Sequence, residues 1–238
     1  MTMQTLLADS IGAHAMRFGK PLAPIYGDDA GGRMLAAFLI VGIAMPFALR
    51  LAFDMAGVRG RPGAGLGFVV AWLAAFVIAH RYLVQLPMAA VGLRPWAGWT
   101  RRERLYLLQV APLAVVVFAV VFRAHLQALP DRHGIAGFLL LSVFGGLAWG
   151  FAQELVYRGW LQTELTRRFG TVAGVVAANL VFTFGPLHFD HFGGADGVRW
   201  SSLAAVFAIG LFFGIVYARS GNVWIPATMH GLWPPNMS

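Results

Sequence analysis

One carboxylate and two imidazoles stand in or beside apolar stretches in the last third of this 238-residue chain. Glu154 follows the apolar run 135–152, with Gln153 before it and Arg158 four residues beyond. His188 closes Phe184-Gly-Pro-Leu-His188, and His230 lies in the apolar segment 223–233, followed by Trp233 and Asn236. A carboxylate near membrane depth is costly and usually faces a partner or a water-filled cavity. Glu154 and Arg158 share a helix face at this spacing and can pair. Taken singly, each residue has a plainer reading, as the polar end of a span in the headgroup region. Together they form a kit for activating water. Either the glutamate and histidines hold a metal, or the carboxylate acts as base while the histidines polarise a scissile carbonyl. Other hydrolytic chemistries lack their residues. No H-E-x-x-H occurs, Ser142 and Ser201 sit in no nucleophile turn, and no cysteine exists to act as thiolate, disulfide or metal ligand.

The elements that must position this kit follow from composition. Hydrophobic residues make up 58% of the chain and charged residues 12%, far from the balance of a soluble domain, so lipid must solvate much of its surface. Apolar runs predict spans at 34–53, kinked by Pro46, and at 66–86, 105–122, 135–152, 171–188 and 200–218, with a short segment at 223–233. The expectation is an all-α polytopic transmembrane bundle of six to eight helices. It forms a single integral membrane domain over 1–238, in which the motifs occupy 137–238. His80 and Arg81 are expected to snorkel at a span end, and Trp96 and Trp99 to anchor at the interface. The net charge of +8 rests on arginine, with Lys20 the sole lysine. It is read as topology-setting charge against anionic lipid rather than as a nucleic-acid surface. Residues 1–32 do not read as a cleaved signal peptide. Arg17, Lys20, Arg33, Arg94, Arg101, Arg102, Arg104, Arg167 and Arg168 fall on one side and predict a cytoplasmic N-terminus.

Depth strengthens the grouping. If the fourth helix continues to residue 169, Glu154 lies about 22 Å from the turn at Gly170. Along a fifth helix, His188 lies about 26 Å back from that turn. The two return to a similar layer, and His230 reaches partway into it.

At these residues the chain resembles the CAAX-protease and bacteriocin-processing family of intramembrane endopeptidases. That family carries E-E-x-x-x-R, then F-x-x-x-H, then a later histidine with a short polar motif. The corresponding stretches here are Gln153-Glu154-Leu-Val-Tyr-Arg158, Phe184-Gly-Pro-Leu-His188 and Ala227-Thr-Met-His230-Gly. The resemblance implies a glutamate-dependent peptidase of a bacterial inner (plasma) membrane. Its substrate would be a membrane-associated peptide, a lipidated tail or a C-terminal sorting tail. Glu154, His188 and His230 would be catalytic, with Arg158 and Phe184 in support. The resemblance favours a mechanism without metal or other cofactor over zinc held by Glu154, His188 and His230.

The chain departs from the family pattern twice. Gln153 stands where the family has its first glutamate, usually taken as the base, and an amide cannot accept that proton at neutral pH. Three readings stay open: Glu154 takes the base role, the chain is a non-catalytic peptide or lipid-tail binder, or Gln153 replaces a natural glutamate. The family often has asparagine four residues after the last histidine. Pro234 stands there, with Asn236 two positions further on. A transporter using the same groups as a proton relay ranks last, because no inverted repeat is present.

Overall fold

The computed structural model describes residues 26–58, 63–121, 134, 144–192 and 197–231. Among them the fold is an all-α membrane helix bundle without strands. Helix α1 spans Asp28–Met55, α2 Ala64–Val84 and α3 Arg101–Val121. Helix α4 runs without a break through Gly145–Glu154, a π-helical Leu155–Gln162 and Thr163–Phe169. Helix α5 is Thr171–Phe184, α6 Trp200–Ser220 and α7 Trp224–Gly231. By length and apolarity α1, α2 and α6 qualify as membrane spans, and α5 is a shorter apolar helix. Against the six to eight membrane helices expected, these three spans are what the described residues supply. The predicted start of the fourth span, 135–143, lies outside them, as do 122–133 and 232–238.

Successive helices run antiparallel and leave two ends. At one end Arg167 on α4 meets Asp28 on α1 at 2.8 Å, and Arg94 reaches the carbonyls of Ser220 and Gly221 at the end of α6. At the other end Arg50 on α1 donates to Leu187 O beyond α5. The basic residues grouped by sequence at 94–104 and 167–168 therefore share an end with the start of α1.

The expected kink at Pro46 takes the form of a π-helical stretch, Leu39–Ala44, just before it. Proline has no N–H to give the carbonyl four residues back. That carbonyl belongs to Gly42, and the Tyr157 hydroxyl donates to it at 3.2 Å. Met45 N–H bonds Ile40 O instead of Val41 O, and Trp72 Nε1 donates to Val41 O at 2.6 Å. Both freed acceptors are thus paired by side chains from α4 and α2, as a non-aqueous setting requires. Trp72, Phe76, Tyr157 and Trp160 form the centre of the core.

Two sequence expectations fail here. His80 does not snorkel but is buried: Trp160 Nε1 donates to its Nδ1 at 3.2 Å, which leaves Nε2–H to donate to Leu86 O at 2.8 Å. Trp99 is buried as well, its Nε1 donating to Arg94 O, and of the predicted pair only Trp96 is exposed. Each of these polar ring atoms has a protein partner, so burial costs it no hydrogen bond.

Candidate active site

Three elements bring the polar kit together. Helix α4 carries Gln153, Glu154 and Arg158 at the point where its α-helical turns give way to π-helical ones. Such π segments often occur at functional sites. Helix α7 crosses the start of α4 at a glycine contact. A methyl group built on Gly150 would stand 2.5 Å from Gly231 N, and one on Gly231 would stand 2.5 Å from Leu147 Cα. Gly150 lies one turn before Glu154, and Gly231 follows His230. This close backbone approach seats His230 Nδ1 2.8 Å from Glu154 Oε1.

Glu154 has no exposed side-chain surface. Its Oε2 lies 3.2 Å from Arg158 Nε, an ion pair by distance without the alignment of a hydrogen bond. Arg158, equally buried, donates from Nη2 to Gly210 O on α6 at 2.9 Å, and its guanidinium covers the Phe182 ring at 4.9 Å. A buried carboxylate is tolerable only with such compensation. The buried Gln153 carries an Oε1 without a partner among the described residues.

His188 arrives by a route the sequence did not foresee in detail. The fifth helix does not continue to residue 188 but ends at Phe184. Gly185 is extended, and Pro186–His191 forms a 3-10 turn. Pro186 cannot continue an α-helix, so the chain turns there. His188 folds back on the helix end, its Nδ1 2.8 Å from Phe182 O. A carbonyl only accepts, so Nδ1 carries the proton. In the neutral ring Nε2 then keeps its lone pair. The same logic applies to His230, whose Nδ1 faces a carboxylate.

The aromatic ring at the centre belongs to Phe182, not Phe184. Phe182 lies edge-on to His188 at 4.8 Å and to His230 at 6.0 Å, beneath the Arg158 guanidinium. Phe184, the residue in the motif, is 46% exposed and meets Phe192. Phe213 lies 5.0 Å from His230. The structure thus gathers Glu154, Arg158, His188 and His230 about one buried ring, with Gln153 next to Glu154 in the chain. Asn236 lies outside the described residues. Among the described residues no three His, Asp or Glu side chains are grouped as metal ligands would be.

The sequence reading missed the seat of α7. Glu103 Oε1 receives both Arg94 at 2.9 Å and Asn222 Nδ2 at 3.2 Å, while Asn222 Oδ1 accepts from Trp224 N at the start of α7. Glu103 also pairs with Thr100, each side chain accepting the other's backbone N–H. This capping box, T-x-x-E before an apolar run, is visible in sequence; its partner Asn222 is not.

Residues 135–234 match the family model described as type II CAAX prenyl endopeptidase Rce1-like. Over that stretch the chain is similar to the Rce1-like CAAX endopeptidases. This agrees with the resemblance read from the three motifs, and the Rce1-like stretch contains Gln153, Glu154, Arg158, His188 and His230. A curated relative, the uncharacterized protein YpbD of Bacillus subtilis (strain 168), is 32% identical over 88 residues, which is 37% of this chain and 39% of the relative. The chain therefore matches well under half of that relative's length. No solved structure matches. Three apolar spans and the Rce1-like stretch make this an integral membrane protein with a protease family's likeness in its C-terminal part.

Proposed function

We propose that this chain is an intramembrane endopeptidase that hydrolyses a peptide bond in a membrane-associated or C-terminal tail substrate. The observation that carries the reading is the fully buried Glu154, held by His230 on one oxygen and compensated by Arg158 on the other. Peptide hydrolysis needs a base for water and donors for the oxyanion. Glu154 Oε2, buried and without a hydrogen bond among the described residues, is the oxygen assigned to take the water proton. Water attacks the scissile carbonyl carbon, its proton passes to Glu154, and the leaving nitrogen takes that proton as the C–N bond breaks. His188 and His230, each oriented through Nδ1, present Nε2 to the reacting groups. An imidazole protonated there donates to the oxyanion; a neutral one accepts from water. Gln153 takes no proton, but its Oε1 can accept a hydrogen bond from the attacking water. The N-terminal end of the bundle faces the cytoplasm, following its excess of arginine.

A second reading follows from Gln153 itself. With an amide in place of the family's first glutamate, the same site would bind a peptide or lipid tail without cleaving it. Proteoliposomes loaded with candidate tail peptides separate the two when this chain is compared with Gln153→Glu, with and without chelator. Cleavage by the unsubstituted chain supports the peptidase. Cleavage only after Gln153→Glu identifies an inactivated one, and tight binding without cleavage by either supports the binder.

A further inference from the structure

Behind the Glu154–His230 pair, α4, α5 and α6 meet along a face rich in polar atoms without partners among the described residues. Asn179 on α5 is fully buried and donates Nδ2 to Phe207 O at 2.9 Å. Phe207 O can only accept, so the amide orientation is fixed and Oδ1 points away from it. That Oδ1 sits over Gly210: a methyl group there would stand 2.3 Å from it and 2.9 Å from the Phe182 ring. The carbonyl of the same Gly210 receives Arg158 Nη2, whose companion Nη1 is buried without a partner. One turn along α5 from Asn179, and on the same face, the fully buried Thr183 hydroxyl also lacks a partner.

Around Gly210 and Phe182 three helices thus carry a donor (Arg158 Nη1), an acceptor (Asn179 Oδ1) and a hydroxyl able to serve as either. Leaving such groups unpaired is costly, and most costly for a charge. Water is the ligand that can accept from one and donate to the others, and buried waters typically make two to four such bonds. We propose that α4, α5 and α6 hold a bound water at Arg158, Asn179 and Thr183, beside Phe182 and on the side of Arg158 away from Glu154. This water completes the guanidinium's hydrogen bonds and so fixes the cation that compensates Glu154. A side chain at Gly210 would collide with Asn179 Oδ1 and the Phe182 ring.

The test does not depend on cleavage. Hydroxyl radicals generated from water by a short X-ray pulse oxidise a buried ring only where water sits against it. In nanodisc-embedded protein, Phe182, 3% exposed, is oxidised well above the buried Trp72. Asn179→Leu lowers that oxidation. Thr183→Val lowers it and Thr183→Ser retains it, a pair that decides the matter if Asn179→Leu does not fold. Phe182 as inert as Trp72 in the unsubstituted protein, or oxidation unaffected by Asn179→Leu and Thr183→Val, overturns the proposal. A chain that cleaves nothing yet shows this pattern retains the water site and loses only the peptidase reading.

Discussion

Glu154 is buried like a core residue and placed like a reactive one, and its neighbours separate the two demands. Removing its charge leaves Arg158 buried and uncompensated, so Glu154→Gln should destabilise the fold by about 3–5 kcal/mol. Adding Arg158→Met to that variant should restore much of the loss, as read by thermal unfolding in detergent. His188→Ala should behave differently. Its ring is partly exposed and it bonds a backbone carbonyl rather than a buried charge, so melting should change little while cleavage falls by about 10²–10⁴-fold. Cleavage retained in that variant would contradict a role for His188 in the reaction. At this scale much was legible in the sequence. The Glu154–Arg158 pair follows from i, i+4 spacing, and the depth argument places His188 and His230 near it. Phe182 was not legible, because the motif marks Phe184, and only the helix end at Phe184 and the fold-back of His188 bring Phe182 to the centre.

Elements set the distances that the chemistry needs. The Gly150–Gly231 crossing lets α7 come close enough for His230 to reach Glu154. Gly150→Ala places a methyl against the Gly231 backbone and must displace α7. The expected result is loss of cleavage with a stability cost of about 1–3 kcal/mol from overpacking, and an active, equally stable variant would refute this role for the crossing. The Glu103–Asn222 contact seats the same helix from its other end. The pairing of Gly150 with Gly231 was not readable, since contact between segments so far apart in the chain leaves no local pattern. The π-helical stretch before Pro46 is a similar case. Proline announces a defect, but pairing of the freed carbonyls with Tyr157 and Trp72 is a property of the assembled bundle.

For the whole molecule, the sequence specified the membrane class and the grouping of basic loops at one end, and the contacts of Arg94 and Arg167 agree with that grouping. The span count was less legible, because charge-bearing helices such as α3 and α4 satisfy no simple hydropathy rule. The chain has no cysteine, so single introduced thiols report sidedness without background. Ala97→Cys should be labelled by an impermeant maleimide only when the cytoplasmic face is open, and Ala56→Cys only from the opposite face; the reverse pattern would invert the proposed orientation. The central claim is hydrolysis by the site around Glu154. Its most direct test is cleavage of a pool of tail peptides in proteoliposomes by the unsubstituted chain and by Glu154→Gln stabilised with Arg158→Met. The account predicts cleavage by the first and none by the second. Equal cleavage by both, or none by either while the peptides bind tightly, would contradict it.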